Sequence, residues 1–272
     1  PIDPQVDGHP NDWPGWPDEK RFALVLQHDV DTKIGLEKCR SLMDLEKSMG
    51  FRSAFFFVPK GYHIPVEFRR ALREDGFEIG VHGLRHDGRL FESRKRFERD
   101  APEIKDFLEL WNARGFSSPS TRERLDWIGE LGIEYDCSTF DVDPFEPEPR
   151  GVKRIFPFFV RSEHVSGGYV ELPYTLPQDH TLFVILQERN IRIWTEKLEW
   201  IAERGGMALL NTHPDYMDFQ GGRYSHRSYP ACHYRDFLEH LRTRYEGQFW
   251  HALPGEVAEF WRALPRETES HD

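Results

Sequence analysis

With 272 residues, of which 38% are hydrophobic and 31% charged, the chain is long enough to bury a sizeable core and has the composition of a globular protein. Its formal charge of −11 argues against nucleic acid or an anionic membrane as partner, because both need clustered Lys and Arg, and no apolar run reaches the length of a membrane span. Three scattered cysteines, Cys39, Cys137 and Cys232, make no disulfide framework, so a reducing, cytoplasmic location is expected.

Residues 1–20, rich in Pro, Asp and Trp, are expected to form an irregular arm whose tryptophans pack on the body, with residues 21–272 as the main domain. The stretch Ala23-Leu24-Val25-Leu26-Gln27-His28-Asp29-Val30-Asp31 is an apolar strand, placed at 21–27, that runs out into two carboxylates. Side chains two apart on an extended chain face the same way, so Asp29 and Asp31 can share a pocket at the strand's C-terminal end, where α/β folds place their sites. An acidic turn is the plainer alternative. A helix follows at 35–49, with Leu36, Cys39, Leu42, Met43 and Leu45 on one side, then a strand at 52–58, a helix at 65–73 and a strand at 77–81. This βαβα rhythm predicts a parallel sheet.

The third strand delivers His82-Gly83-Leu84-Arg85-His86. Histidines at i and i+4 fall on one face of a helical turn, where they can chelate one metal ion. Gly83 stands where the zinc-protease motif carries its glutamate, so a base must come from elsewhere, and Asp29 or Asp31 can supply it. With thirteen histidines in the chain, coincidence is the competing explanation. Two histidines and a carboxylate at strand ends, with an open coordination position, describe a hydrolytic zinc site better than a structural one.

A charged helix is expected at 90–113, with Phe97, Ile104, Leu108 and Trp111 inward and Arg94, Lys95, Arg96, Glu98 and Arg99 on a solvated face. Phe116-Ser117-Ser118-Pro119 is the fourth strand and its exit, followed by a helix at 122–131 and a fifth strand at 133–138. The acidic, proline-rich segment 141–150 cannot be a central strand and is expected at the rim of the site. Residues 154–172 suggest a hairpin around Ser166-Gly167-Gly168, feeding an unusual polar exit from Glu171 to Phe183. Asp179 precedes a helix expected at 182–187 and would cap it. A helix at 194–204 stops at Gly205-Gly206, and a strand at 207–211 delivers His213, with Asp215 as a candidate to orient its ring. A polar surface or rim loop at 221–233, a helix at 234–245, a strand at 248–252 and a helix at 254–264 complete the chain.

Asp29-Val30-Asp31, then Glu78-Ile79-Gly80-Val81-His82 with His86, then Met207-Ala208-Leu209-Leu210-Asn211-Thr212-His213 together resemble the NodB-type polysaccharide deacetylases, carbohydrate esterase family four, in an Asp-x-Asp variant. The resemblance spans about residues 22–262. It implies an α/β fold, a single-domain distorted, incomplete (β/α) barrel. It also implies one divalent metal ion, zinc first with cobalt, nickel or iron as alternatives, on Asp31, His82 and His86. Asp29 would be the general base and His213 the general acid in removing an N-acetyl group from an amino sugar of a polysaccharide, oligosaccharide or glycan precursor. The segment carrying Tyr174, Asp179 and His180 would close one side of the substrate groove, with Asp179 or His180 tuning the acid. For Asp179, helix capping stands beside that role.

The chain departs from the family at its third motif. Ser117 stands where an arginine contacts the catalytic carboxylate, and Arg122, Arg124 or Arg85 are the candidates to replace it, Arg85 also as a substrate-binding residue. Two further functions remain open on these motifs: an amidase of the same fold acting on a small non-sugar amide or cyclic ureide, and a non-catalytic sugar-binding relative.

Overall fold

The structure, a computed structural model, describes residue 10 and residues 13–143, 145–146, 151–162, 168–221 and 224–264. At its centre lies β1 (Phe22–Val30), in which every residue is buried. A strand covered on both faces is a continuous apolar run, and Phe22-Ala23-Leu24-Val25-Leu26 is that run. The strand reaches three residues further than expected, so Asp29 is itself a strand residue.

After it come α1 (Lys33–Met49), capped by the Thr32 side chain, β2 (Ala54–Phe57), α2 (Val66–Glu74) and β3 (Glu78–His82). Next are α3 (Arg94–Leu110), β4 (Gly115–Ser117), the one-turn α4 (Leu125–Ile128) and β5 (Tyr135–Asp136). Ser93 caps α3, so residues 90–93, expected as helix, stand outside it. β6 (Phe158–Val160) and β7 (Tyr169–Glu171) pair antiparallel as the expected hairpin, although Ser166 and Gly167 of its turn lie outside the described residues. The second half of the chain supplies α5 (Arg192–Glu203), β8 (Met207–Thr212), β9 (Met217–Asp218), β10 (Tyr229–Pro230), α6 (Cys232–Arg244), β11 (Phe249–His251) and α7 (Pro254–Ala263). The expected helix at 182–187 is instead a π-helical turn, His180–Ile185. No helix among the described residues is long and apolar enough to cross a membrane.

The main sheet runs β11-β1-β2-β3-β4-β5-β7-β6, with β8 added on β1. The first part of β1 pairs with β11 and its last part with β2, while β8 follows it from Ala23↔Met207 to His28↔Thr212. All these pairs are parallel, so the C-terminal ends of β1, β3, β4 and β8 open on one side. The sheet curls into a half-barrel with helices around it, as expected. Its gap beside β8 is bridged irregularly: the amides of Thr175 and Leu176 both donate to Leu209 O, and Thr175 Oγ1 donates to Met207 O. Pro173 and Pro177, which lack amide hydrogens, keep this bridge from becoming a ladder strand.

Part of the N-terminal arm packs as expected. The Trp13 ring lies 5.4 Å from that of Phe156, and Trp16 Nε1 donates to Gly205 O at 2.7 Å. Residues 1–9, 11 and 12 of the arm, and residues 144 and 147–150 of the acidic loop, are outside the described residues.

Candidate functional site

Period-two alternation at the end of β1 sends Gln27, Asp29 and Asp31 into the half-barrel and His28 to the other face. Outside, buried His28 bonds Thr212 Oγ1 at 2.7 Å through Nδ1 and Glu46 Oε1 at 2.9 Å through Nε2. That pair of contacts ties the ends of β1 and β8 to α1, fixing the strand ends that carry Asp29 and His213.

Inside, Asp31 Oδ1 lies 3.1 Å from His86 Nε2 and 3.5 Å from His82 Nε2. One ligand atom from each of the three residues falls within 4.8 Å of the others. His82 Nδ1 sits 3.1 Å from Ser117 O, a group that only accepts, so the proton is on Nδ1 and Nε2 presents its lone pair. Asp31 Oδ1 is buried and accepts no hydrogen bond. A buried carboxylate oxygen without a donor, facing two imidazole nitrogens, suits a divalent cation of the zinc type.

The two histidines do not lie on a helical turn. His82 ends β3, residues 84–88 form bends, and Gly83 has φ +60°. A Cβ on Gly83 would stand 2.7 Å from Pro119 Cδ, so glycine lets the loop lie against the turn after β4 while His86 swings back to Asp31.

Asp29 is held by neutral groups. Asn211 Nδ2 donates to its Oδ2 at 2.7 Å, Gln27 Nε2 to its Oδ1 at 3.1 Å, and Ser117 Oγ stands 3.4 Å away. Gln27 and Asn211 are register partners across β1 and β8, which places both amides on one carboxylate. Among the described residues, no arginine takes the expected place beside Asp29. Arg122 Nη1 donates to Gly88 O at 3.4 Å, Arg85 faces Asp100 at 3.8 Å, and neither these nor Arg124 lines the pocket around Asp29. Serine in place of arginine therefore leaves two amides to orient Asp29 without neutralising it.

His213, just past β8, is gripped by Asp179. Asp179 Oδ1 meets His213 Nδ1 at 2.8 Å and accepts the His180 amide at 2.8 Å, while Oδ2 accepts the His213 amide at 2.9 Å and the Tyr229 hydroxyl at 2.8 Å. Burial pulls His213 down, but the Asp179 carboxylate outweighs it, with Asp31 and Asp29 adding, and the imidazole is pushed up to about 10. With Nδ1 engaged, Nε2 is the atom left for the pocket. Asp179 thus both caps the π-helical turn and contacts the ring, so the two roles weighed from sequence coexist.

Asp215 does not orient His213. Its carboxylate accepts the amides of Asp31 and Thr32, each at 3.0 Å, and the Thr32 hydroxyl, locking the turn that carries Asp31. Gly35 makes room for it, since a Cβ there would fall 2.1 Å from Asp215 Oδ2. Tyr229, on a segment expected as a surface or rim loop, is buried where β10 pairs with β9 beside the site.

Asp29, Asp31, His82, His86, Asn211 and His213 line a cavity of about 250 Å³ whose mouth carries Phe145, Ile185 and Tyr216. His180 lines it too, 4.6 Å ring to ring from Tyr216, and burial together with the charge on His213 lowers its pKa. Tyr174 forms another wall, its hydroxyl accepting from Gln178 Nε2 at 3.1 Å. The same Gln178 joins Asn211 to Glu146, whose carboxyl burial pushes up to about 6.

No protein-family model matches the chain, and no curated protein matches it. Solved structures do. One, from Mycobacterium smegmatis and assigned as a polysaccharide deacetylase, superposes with a TM-score of 0.71 at 19% identity, covering 95% of this chain and 97% of the other. A second, assigned as a polysaccharide deacetylase of Pseudomonas aeruginosa PAO1, has a TM-score of 0.68 at 18% identity, covering 93% and 95%. The Puue allantoinase has a TM-score of 0.67 at 17% identity, covering 92% and 93%. The chain therefore has the NodB-type deacetylase fold, which it shares with an allantoinase.

Proposed function

We propose that the protein is a metal-dependent N-deacetylase of the NodB type, acting on an N-acetylated amino sugar and releasing acetate. The observation that carries this reading is the facing pair of unlike centres: Asp31, His82 and His86 converging on one point, and His213 charged against Asp179. A divalent ion on Asp31, His82 and His86 would supply Lewis acidity toward a carbonyl oxygen and acidify water.

The chain's own groups account for the proton transfers. Asp29, oriented by Gln27 and Asn211, accepts a proton from the attacking water. An amide nitrogen leaves poorly unless protonated, and His213, held as imidazolium by Asp179, donates that proton from Nε2. One proton taken at Asp29 and one given at His213 leave both groups to be reset by exchange with water. Phe145 and Tyr216 at the mouth offer aromatic faces of the kind a sugar ring needs.

The size of the cavity favours a second reading on the same machinery. About 250 Å³ is below the range of about 300–1,000 Å³ typical of drug-sized ligands, so the part of a substrate that it encloses is about a single ring or a small amide. The deciding assay measures acetate release from N-acetylglucosamine and its oligomers, with and without chelator, beside hydrolysis of allantoin. Chelator-sensitive acetate release establishes the deacetylase, turnover of allantoin alone moves the substrate to cyclic ureides, and a metal-loaded protein inert on both contradicts an amide hydrolase.

A further inference from the structure

The arginines that do not reach Asp29 gather elsewhere. The loop after β3 and the turn after β4 lie side by side: Gly83 meets Pro119, Arg122 Nη1 donates to Gly88 O, and the Ser118 hydroxyl donates to Arg122 O. Between them opens a cleft of about 610 Å³ lined by Arg89, Arg122 and Arg124, all three exposed.

Among the described residues, none of these three guanidinium groups meets a carboxylate. Their neighbours on α3 all do: Arg94 holds Glu98 and Glu130, Arg96 holds Asp87 and Glu92, and Arg99 holds Asp100. Two carboxylates also line the cleft: Glu92, 3.6 Å from Arg96, and Glu123, which has an interaction partner. In a chain of net charge −11, the three guanidinium groups outnumber the two carboxylates around this concavity, so its lining is net positive, and clefts focus such fields. The planar guanidinium fork matches the oxygens of a phosphate, which it binds through paired, charge-assisted hydrogen bonds.

The cleft adjoins the candidate metal ligands. Gly88 is two residues past His86, within about 7 Å along the chain. A Cβ on Gly88 would lie 3.8 Å from Ser120 Oγ, and Ser120 lines the cavity around Asp31. Gly88, on the cleft, and Ser120, on the cavity, are thus neighbours across the two spaces.

We infer that this arginine cleft binds a phosphate group carried by the substrate, so that the amide presented to Asp31, His82 and His86 belongs to a phosphorylated amino sugar. The inference rests on the deacetylase reading for the identity of the amide, but the cleft can be tested by binding alone. N-acetylglucosamine 6-phosphate, N-acetylglucosamine 1-phosphate, N-acetylglucosamine and inorganic phosphate are titrated calorimetrically into the full chain, and into Arg89→Gln and Arg122→Gln, with acetate release followed in parallel. Losing one charge-assisted contact is expected to weaken binding of the sugar phosphate about 10- to 100-fold, with the neutral sugar unaffected. Because Arg122 also braces Gly88, Arg89→Gln serves as the variant free of that contact.

Tighter binding of at least one sugar phosphate than of either neutral sugar or inorganic phosphate, lost in both variants, supports the inference. Equal binding of inorganic phosphate and sugar phosphate overturns it in favour of a free-phosphate effector site. Binding that the variants leave unchanged also overturns it. Arginine-dependent binding of a sugar phosphate without acetate release sustains the cleft and refutes the reaction.

Discussion

Asp179, at the start of the π-helical turn, and Asp31, just past β1, are both carboxylates sunk beside one pocket, yet Asp179 is saturated with donors and Asp31 is not. Asp179 takes two backbone amides, a phenol and an imidazole, whereas Asp31 Oδ1 is buried without a proton donor beside two imidazole nitrogens. A saturated carboxylate fixes its partner's protonation and orientation and needs nothing further. A buried one without a donor among nitrogens is costly unless a cation completes it. The contrast is what supports the proposed division, with proton donation on the His213 side and metal binding on the Asp31 side.

The largest effects should separate the two sides outright. His82→Ala removes a ligand and should abolish both bound metal and turnover. Asp29→Asn should keep the metal while lowering kcat about a thousandfold, the scale of general-base catalysis. Metal analysis beside a rate assay checks both, and an Asp29→Asn variant at wild-type rate would remove the base from the scheme.

Asp179→Asn attacks the saturated side. It leaves a buried imidazolium without its counter-charge and should cost about 3–5 kcal/mol in denaturant unfolding if His213 remains charged. The pH dependence gives a sharper reading. His213 is raised from 6.5 to about 10 in the folded chain, so the stability that it contributes is fully present below pH 6.5 and is lost as pH rises toward about 10. Unfolding of the chelator-treated protein should show that decline, and Asp179→Asn should flatten it. The alkaline limb of the rate profile should move to lower pH in the same variant, and an unmoved limb would mean that His213 is not the acid.

Smaller effects test the cradles. Asn211→Ala removes the 2.7 Å bond to Asp29 and should lower kcat about tenfold with metal content unchanged. Tyr229→Phe removes one of the donors to Asp179 and should cost about 1–2 kcal/mol, shifting the alkaline limb by less than that of Asp179→Asn.

Local pattern carried the strand ends. An apolar run closing on Asp29-Val30-Asp31, another closing on His82 and a third closing on His213 were legible because parallel strands buried on both faces are apolar throughout and become polar only where they exit. The cradle around Asp29 left a weaker trace. Gln27 and Asn211 are each a polar residue two positions before a site residue in an otherwise apolar strand, so period two places them on the site's face. Their meeting on one carboxylate needed the register of β1 with β8, which pairs residues 184 positions apart and is not written locally.

Nearness in sequence misled in the other direction. Asp215, two residues from His213, holds the Asp31 turn instead, and Asp179, from the bridge across the barrel gap, reaches the ring. The spacing of His82 and His86 promised a helical turn, but the contact of Gly83 with Pro119 is a tertiary constraint that overrode it. Tyr229 had no signal at all, since a tyrosine in a polar loop is buried only because β10 finds β9.

The most direct test of the account is metal stoichiometry by mass spectrometry on the purified wild type and on Asp31→Asn, each dialysed against zinc and then freed of loose ions. One tightly held ion per wild-type chain is expected, and loss of that ion in Asp31→Asn, whose amide cannot supply the charge. Zinc retained equally by Asp31→Asn, or none held by the wild type, would contradict the assignment of Asp31, His82 and His86 as the metal centre.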